Sequence, residues 1–195
     1  LLEMHGERLR SADGIVRADA DEFYQDDPRE FVRGCWGAGR VAMWQYLFVL
    51  TRGEARAWRE GRETRADRAR PIERRRRWYL RDPFPEVRLF RYRAGMRWHA
   101  DRPDPANPGP MAAERIRVRH YRFRDLEQMR ARVALRAAIA GQTGLVGHHW
   151  RRSRVGDLLV ADDDPGLRRW EEGGGLAGTA DWPEADAHLG VTPTG

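Results

Sequence analysis

GIVRADADEFY, residues 14–24, runs from an apolar segment into three carboxylates, Asp19, Asp21 and Glu22, and then into two aromatics. The Asp13-Gly14 pair reads as a turn, residues 12–20 as a buried strand, and Asp27-Pro28 as the start of a helix reaching about Cys35. Asp can cap that helix, and Pro suits a first helical turn. Strand, acidic loop and helix in that order point to an α/β fold. Crowded carboxylates repel, and partial burial adds a desolvation cost, so a cation or a proton is expected to relieve the cluster. In an extended strand residues i and i+2 face the same way, so Asp19 and Asp21 would present two oxygen ligands at the strand's C-terminal end, where α/β sheets bind ligands. With waters and phosphates completing the shell, that arrangement suits Mg²⁺ or Mn²⁺. The competing reading is a turn or capping role ahead of the Asp27-Pro28 helix. The same D-x-D pattern recurs at Asp162-Asp163-Asp164 in a Pro-Gly-flanked loop that no strand feeds, and there it reads as exposed and solvated.

Further along, residues 40–51 form a second strand, rich in Val, Trp, Tyr and Phe and bounded by Gly39 and Gly53. Residues 52–80 are charged nearly all round and read as a solvated excursion, with Arg74–Arg77 an exposed basic face. A third strand is expected over 87–93 and a Pro-rich loop follows it. A fourth is expected over 114–124, with Ile116, Val118 and His120 on one face. Asp125 caps a helix whose Leu126, Met129, Val133 and Ala137 recur at helical spacing up to Gly141. His148 and His149 are adjacent, which is poor geometry for joint ligation from a helix, and they read as surface or packing residues. The whole is expected to be one domain over residues 1–170, a mixed sheet with flanking helices, followed by a disordered Gly- and Pro-rich tail over 171–195.

All 36 basic residues are Arg, and the net charge is +6. Such an excess can serve phosphate contacts, but here Arg is interleaved with acids from end to end, so no nucleic-acid partner is expected. Cys35 is the one cysteine, which excludes an internal disulfide and a cysteine zinc cage and favours a reducing, cytoplasmic location. The longest apolar run, Val41–Leu50, is too short to span a bilayer, so no transmembrane segment is expected.

ADGIVRADADEFY resembles the metal-binding segment of family 2-type glycosyltransferases with the GT-A fold, in which a strand delivers D-x-D to the diphosphate of a nucleotide sugar. RVRHYRFRDLEQMRARVALR, residues 117–136, is similar to a second segment of that group, a strand ending in His-Tyr followed by an Arg, a helix cap and Glu-Gln. The resemblance covers roughly residues 12–140. It implies a partial GT-A catalytic domain beginning just before D-x-D, a nucleotide-sugar donor, and an acceptor of glycan, lipid or small-molecule type. It further implies that Asp19, Asp21 and His120 ligate Mn²⁺ or Mg²⁺, that Asp19 also faces the nucleotide, and that Glu22 supports the loop. Arg119 and Arg124 would lie near the phosphates. Without the resemblance, His120 on an apolar strand face reads as a hydrogen-bonded core histidine. Asp101 and Asp104 are the candidates for a base, should one be needed to deprotonate the acceptor hydroxyl. Two alternatives use the same residues differently, an Arg-rich nucleic-acid-binding module and a metal-dependent phosphohydrolase acting on water.

Overall fold

The computed structural model describes residues 13–35, 37–63, 65–82, 86–99, 104–143 and 154–176. These form a mixed α/β structure. In chain order its strands are β1 (Gly14–Val16), β2 (Glu22–Tyr24), β3 (Arg40–Phe48), β4 (Trp78–Arg81), β5 (Glu86–Arg91), β6 (Ile116–His120) and β7 (Arg168–Arg169). Its α-helices are α1 (Pro28–Gly34), α2 (Arg52–Arg59), α3 (Arg65–Ala69), α4 (Ile72–Arg75) and α5 (Leu126–Thr143). The described residues fall into two compact units, the first comprising 13–46 with 82–119 and the second 47–81 with 120–176. No described helix is long and apolar enough to cross a membrane.

In the first unit β5 pairs antiparallel with β1 on one side and with β3 on the other, and β6 pairs with β3 and with β2. The continuous apolar run of β3 is buried as a central strand should be, and Val41, Met43, Leu89, Ile116 and Val118 make the core. The residues expected as a buried strand over 12–20 behave otherwise. β1 is only three residues long, lies at the end of the strand order, and leaves Val16 43% exposed, because an edge strand with one neighbour has no second element to cover it. The helix that follows is as expected, with Asp27 accepting from the Arg29 backbone N–H at 2.7 Å and Pro28 in the first turn.

Gly39 sits where β3 begins, its N–H bonded to the Pro110 carbonyl at 2.8 Å. A Cβ there would lie 2.3 Å from the Pro108 carbonyl oxygen and 2.8 Å from Gly109 Cα, and Gly109 itself has φ +84°. Backbone cannot yield as a flexible side chain would. Gly39→Ala should therefore lower stability by about 1–3 kcal/mol in urea denaturation; an unchanged midpoint would show that strand and loop are not in this contact.

The second unit turns much of the expected solvated excursion into packed structure. Thr51 and Glu54 form a reciprocal capping box at the start of α2. Asp162 Oδ1 accepts from the Gly53 N–H at 3.0 Å, and Asp164 Oδ1 accepts from the Gly166 N–H at 2.8 Å. The second D-x-D thus serves a helix start and a turn. Arg74–Arg77 do not make an exposed basic face. The Arg75 and Arg76 side chains are 7% and 4% exposed, Arg75 pairing with Glu63 at 3.0 Å and Arg76 with Glu54 at 3.6 Å and Glu63 at 3.9 Å. Arg74 and Arg77 reach Glu172 and Glu171. Interleaved acids have drawn the run into ion pairs, two of its members inward. Burial lowers the Arg76 pKa despite its acidic partners, and burial raises that of Glu54 despite Arg76.

At the start of α5, Asp125 accepts from the Gln128 N–H at 2.8 Å while the Gln128 side chain accepts from the Arg124 N–H at 3.1 Å. Leu126, Met129 and Val133 are buried on one face, as their spacing indicates. Leu126 and Met129 cluster with Leu50, Ala55 of α2, Phe123 and Leu159. Phe48 stacks on Tyr121 at 4.4 Å between centroids and meets Trp170 edge-on at 6.2 Å. β4 pairs antiparallel with β7, Trp78 opposite Arg169. The packed chain continues past Trp170, whose indole N–H donates to the Gly174 carbonyl at 3.2 Å, to the buried Leu176. The expected tail from residue 171 is therefore shorter at its start by at least these residues, because Trp170 and Leu176 are large enough to repay their own ordering. Residues 177–195 lie outside the described residues, as do His148, His149 and Asp101.

Candidate functional site

Asp19, Asp21 and Glu22 are not the end of an extended strand. Residues 20 and 21 form a turn, closed by the Glu22 N–H donating to the Asp19 carbonyl at 3.1 Å, and Glu22 opens β2. The Glu22 carboxylate folds back to accept from the Asp19 N–H at 3.2 Å. The alternation that would put Asp19 and Asp21 on one strand face is thus replaced by a tight turn pinned by Glu22.

The cation that relieves the cluster is a guanidinium. Arg88 Nη2, on β5, lies 2.8 Å from Glu22 Oε1, 3.2 Å from Asp19 Oδ2 and 3.0 Å from Glu86 Oε2. The Arg88 side chain is 6% exposed and that of Glu22 is fully buried. Arg17 extends the cluster to Glu86 at 3.3 Å, and its backbone N–H donates to the Arg88 carbonyl at 2.8 Å. Burial raises the Glu22 pKa above the ordinary carboxylate value, and the Asp19 N–H and Arg88 only partly offset it. The neighbouring Tyr24 phenol is pushed up to about 12, first by burial and then by the Glu22 charge, so it stays protonated near neutral pH. Its hydroxyl has no hydrogen-bond partner among the described residues.

On the far side of β2, the Gln25 N–H donates to the Arg117 carbonyl at 2.9 Å, and Asp26 takes both the Arg117 N–H at 2.9 Å and its guanidinium. Burial alone would raise the Asp26 pKa, but the Arg117 hydrogen bonds outweigh it and hold the carboxyl low. Arg119, two residues on, lies over the Phe23 ring at 5.9 Å, next in sequence to Glu22.

The structure thus brings Asp19, Asp21 and Glu22 into one turn, with Arg119 against the adjoining Phe23. His120 ends β6 and is half-buried, and it belongs with Arg124 to the second unit, where the Arg124 carbonyl accepts from Arg75 at 3.3 Å. Asp104 lines a cavity of about 580 Å³ that shares Arg17 and Glu86 with the ion-pair cluster. Among the described residues no group of three or more His, Cys, Asp or Glu side chains could hold a metal ion. Asp19 is nonetheless 56% exposed with only Oδ2 on Arg88, and Asp21 shares its turn. Exposed carboxylate oxygen is the donor type that a hard cation takes, with water and phosphate completing its shell. The residue that sequence reasoning missed is Arg88. Arg88 stands between Val87 and Leu89 on a strand that also carries Glu86 and Arg91, so the sequence offers no signal that singles it out, although a buried cation needs an acid to meet it.

Comparison with family models, with curated proteins and with solved structures finds no match.

Proposed function

We propose that this chain carries the diphosphate-facing part of a metal-dependent glycosyltransferase of GT-A type, with the Asp19–Glu22 turn directed at the diphosphate of a nucleotide-sugar donor. The observation that carries the reading is how the turn is built. Arg88 and Glu22 neutralise and anchor it from inside the unit, and this leaves Asp19 exposed on the outside. A buried ion pair of this kind holds geometry more than it adds stability. Asp19 and Asp21 would hold Mn²⁺ or Mg²⁺, which when bound neutralises charge developing on a leaving diphosphate. Glu22 fixes the turn through the Asp19 N–H, and Arg119, over Phe23, adds positive charge beside it. The Arg-rich alternative is less well supported, because the densest Arg run is engaged with Glu54, Glu63, Glu171 and Glu172.

The test is calorimetric titration with pyrophosphate and with UDP, each with Mn²⁺ and with EDTA. Binding should require Mn²⁺. Asp21→Asn should weaken the Mn²⁺-dependent part by about tenfold or more, the scale of a lost charge-assisted contact, with the circular dichroism spectrum unchanged. Absence of any Mn²⁺-dependent binding would overturn the reading, and metal-independent binding that falls steeply with salt would favour the polyanion-binding alternative.

A further inference from the structure

The cavity beside the ion-pair cluster contains a cation with no carboxylate partner among the described residues. Arg40, the first residue of β3, lines it together with Arg17, Glu86, Phe90, His99 and Asp104. Glu86 is already shared between Arg17 and Arg88. Among the described residues no carboxylate pairs with the Arg40 guanidinium, and its Nε is buried without a hydrogen-bond partner. Arg88 also has a buried Nε without a partner, but its Nη2 meets three acids, so what sets Arg40 apart is the lack of a carboxylate partner among the described residues. A buried guanidinium N–H that has no acceptor carries a cost that a bound acceptor would relieve.

We propose that this cavity binds a small organic molecule bearing one carboxylate or phosphate group, with the anion seated on Arg40. A planar guanidinium presents a two-donor fork that suits either anion. One unmatched cation calls for one anionic group. The volume, about 580 Å³, accommodates a metabolite-sized body as well as the anion. Phe90, buried against the edge of Trp98 at 5.8 Å, and Val87, Pro105 and Pro108 give that body apolar walls. The walls come from β3, β5 and the segment 104–108, the latter tied back by the Trp98–Pro105 bridge and by the Ala106 N–H to the Arg97 carbonyl at 2.7 Å. This inference needs no divalent cation and does not depend on the glycosyltransferase reading.

The experiment titrates the full chain, in EDTA, with inorganic phosphate, glycerol 3-phosphate and benzoate, following binding by NMR or calorimetry at millimolar ligand. At least one probe should bind saturably, and whether the phosphates or the carboxylate bind tighter identifies the anion. Arg40→Gln should weaken that binding by about tenfold or more, as loss of a charge-assisted pair does, while Arg29→Gln on exposed α1 should leave it unchanged. Should Arg40→Gln fail to fold, phenylglyoxal modification of the wild-type chain gives the same answer, since a bound probe should protect Arg40 and not Arg29. Failure of every probe to saturate, equal loss in both variants, or absence of selective protection of Arg40 would overturn the proposal.

Discussion

Arg88→Met is expected to unfold the first unit or to cost it about 3–5 kcal/mol, the usual loss when one partner of a buried ion pair is removed. Met fills much of the same volume, so the effect would isolate the charge. Without Arg88, the fully buried Glu22 carboxylate faces Asp19 and Glu86 with no cation between them. Arg17→Met gives the contrast. Its pair with Glu86 is 30% and 48% exposed, and such pairs contribute about 0–1 kcal/mol. The pH dependence follows from Glu22, whose pKa burial already holds above the ordinary value. A raised carboxylate pKa means the folded state takes up a proton more readily than the unfolded one, so the Glu22 contribution worsens as pH rises through that window. Removing Arg88 takes away a charge that favours ionisation. The deficit of Arg88→Met should therefore be largest near neutral pH and shrink on acidification, as read by chemical denaturation at several pH values. A loss below about 1 kcal/mol at neutral pH would show that the turn does not depend on this residue.

Met129→Asp should unfold the second unit or cost it about 3 kcal/mol or more, because it sets an unpaired charge among Leu50, Ala55, Phe123, Leu126 and Leu159. Leu135→Asp on the same helix is the control. Leu135 is 61% exposed, and its replacement should stay within about 0.5 kcal/mol. If the two variants melted alike, the buried face of α5 would be assigned to the wrong side.

The elements that could be read from sequence were those whose local signals agree with their packing. β3 is a continuous apolar run, α5 has a cap and a helical stripe, and α1 begins at Asp27-Pro28, so propensity, pattern and burial all point the same way. β1 failed that test. Its apolar residues read as buried, but only its partner's position in the strand order decides whether a third layer covers Val16. Arg75 and Arg76 failed for a related reason. A basic run is solvated unless acids from other segments reach it, and Glu54 and Glu63 lie too far along the chain for a local pattern to reveal the pairing. At the candidate site the carboxylates stood out by their crowding and composition, and the need for a cation followed from electrostatics. Its identity did not, because Arg88 is separated from Glu22 by 66 positions and meets it only in the folded chain, on a strand that pairs with β1 just ahead of the turn.

The most direct measurement of whether a guanidinium holds this turn is a double-mutant cycle between Arg88 and Glu22, with EDTA throughout so that no divalent metal contributes. Stabilities of the wild type, Arg88→Met, Glu22→Gln and the double variant would be compared by guanidinium chloride denaturation. If Arg88 is the counter-charge of Glu22, the double variant should lose less than the sum of the single losses by at least about 1.5 kcal/mol, a coupling typical of residues in one buried network. Additivity within about 0.5 kcal/mol would mean that the two do not interact, and the acidic turn would then owe its order to something other than Arg88.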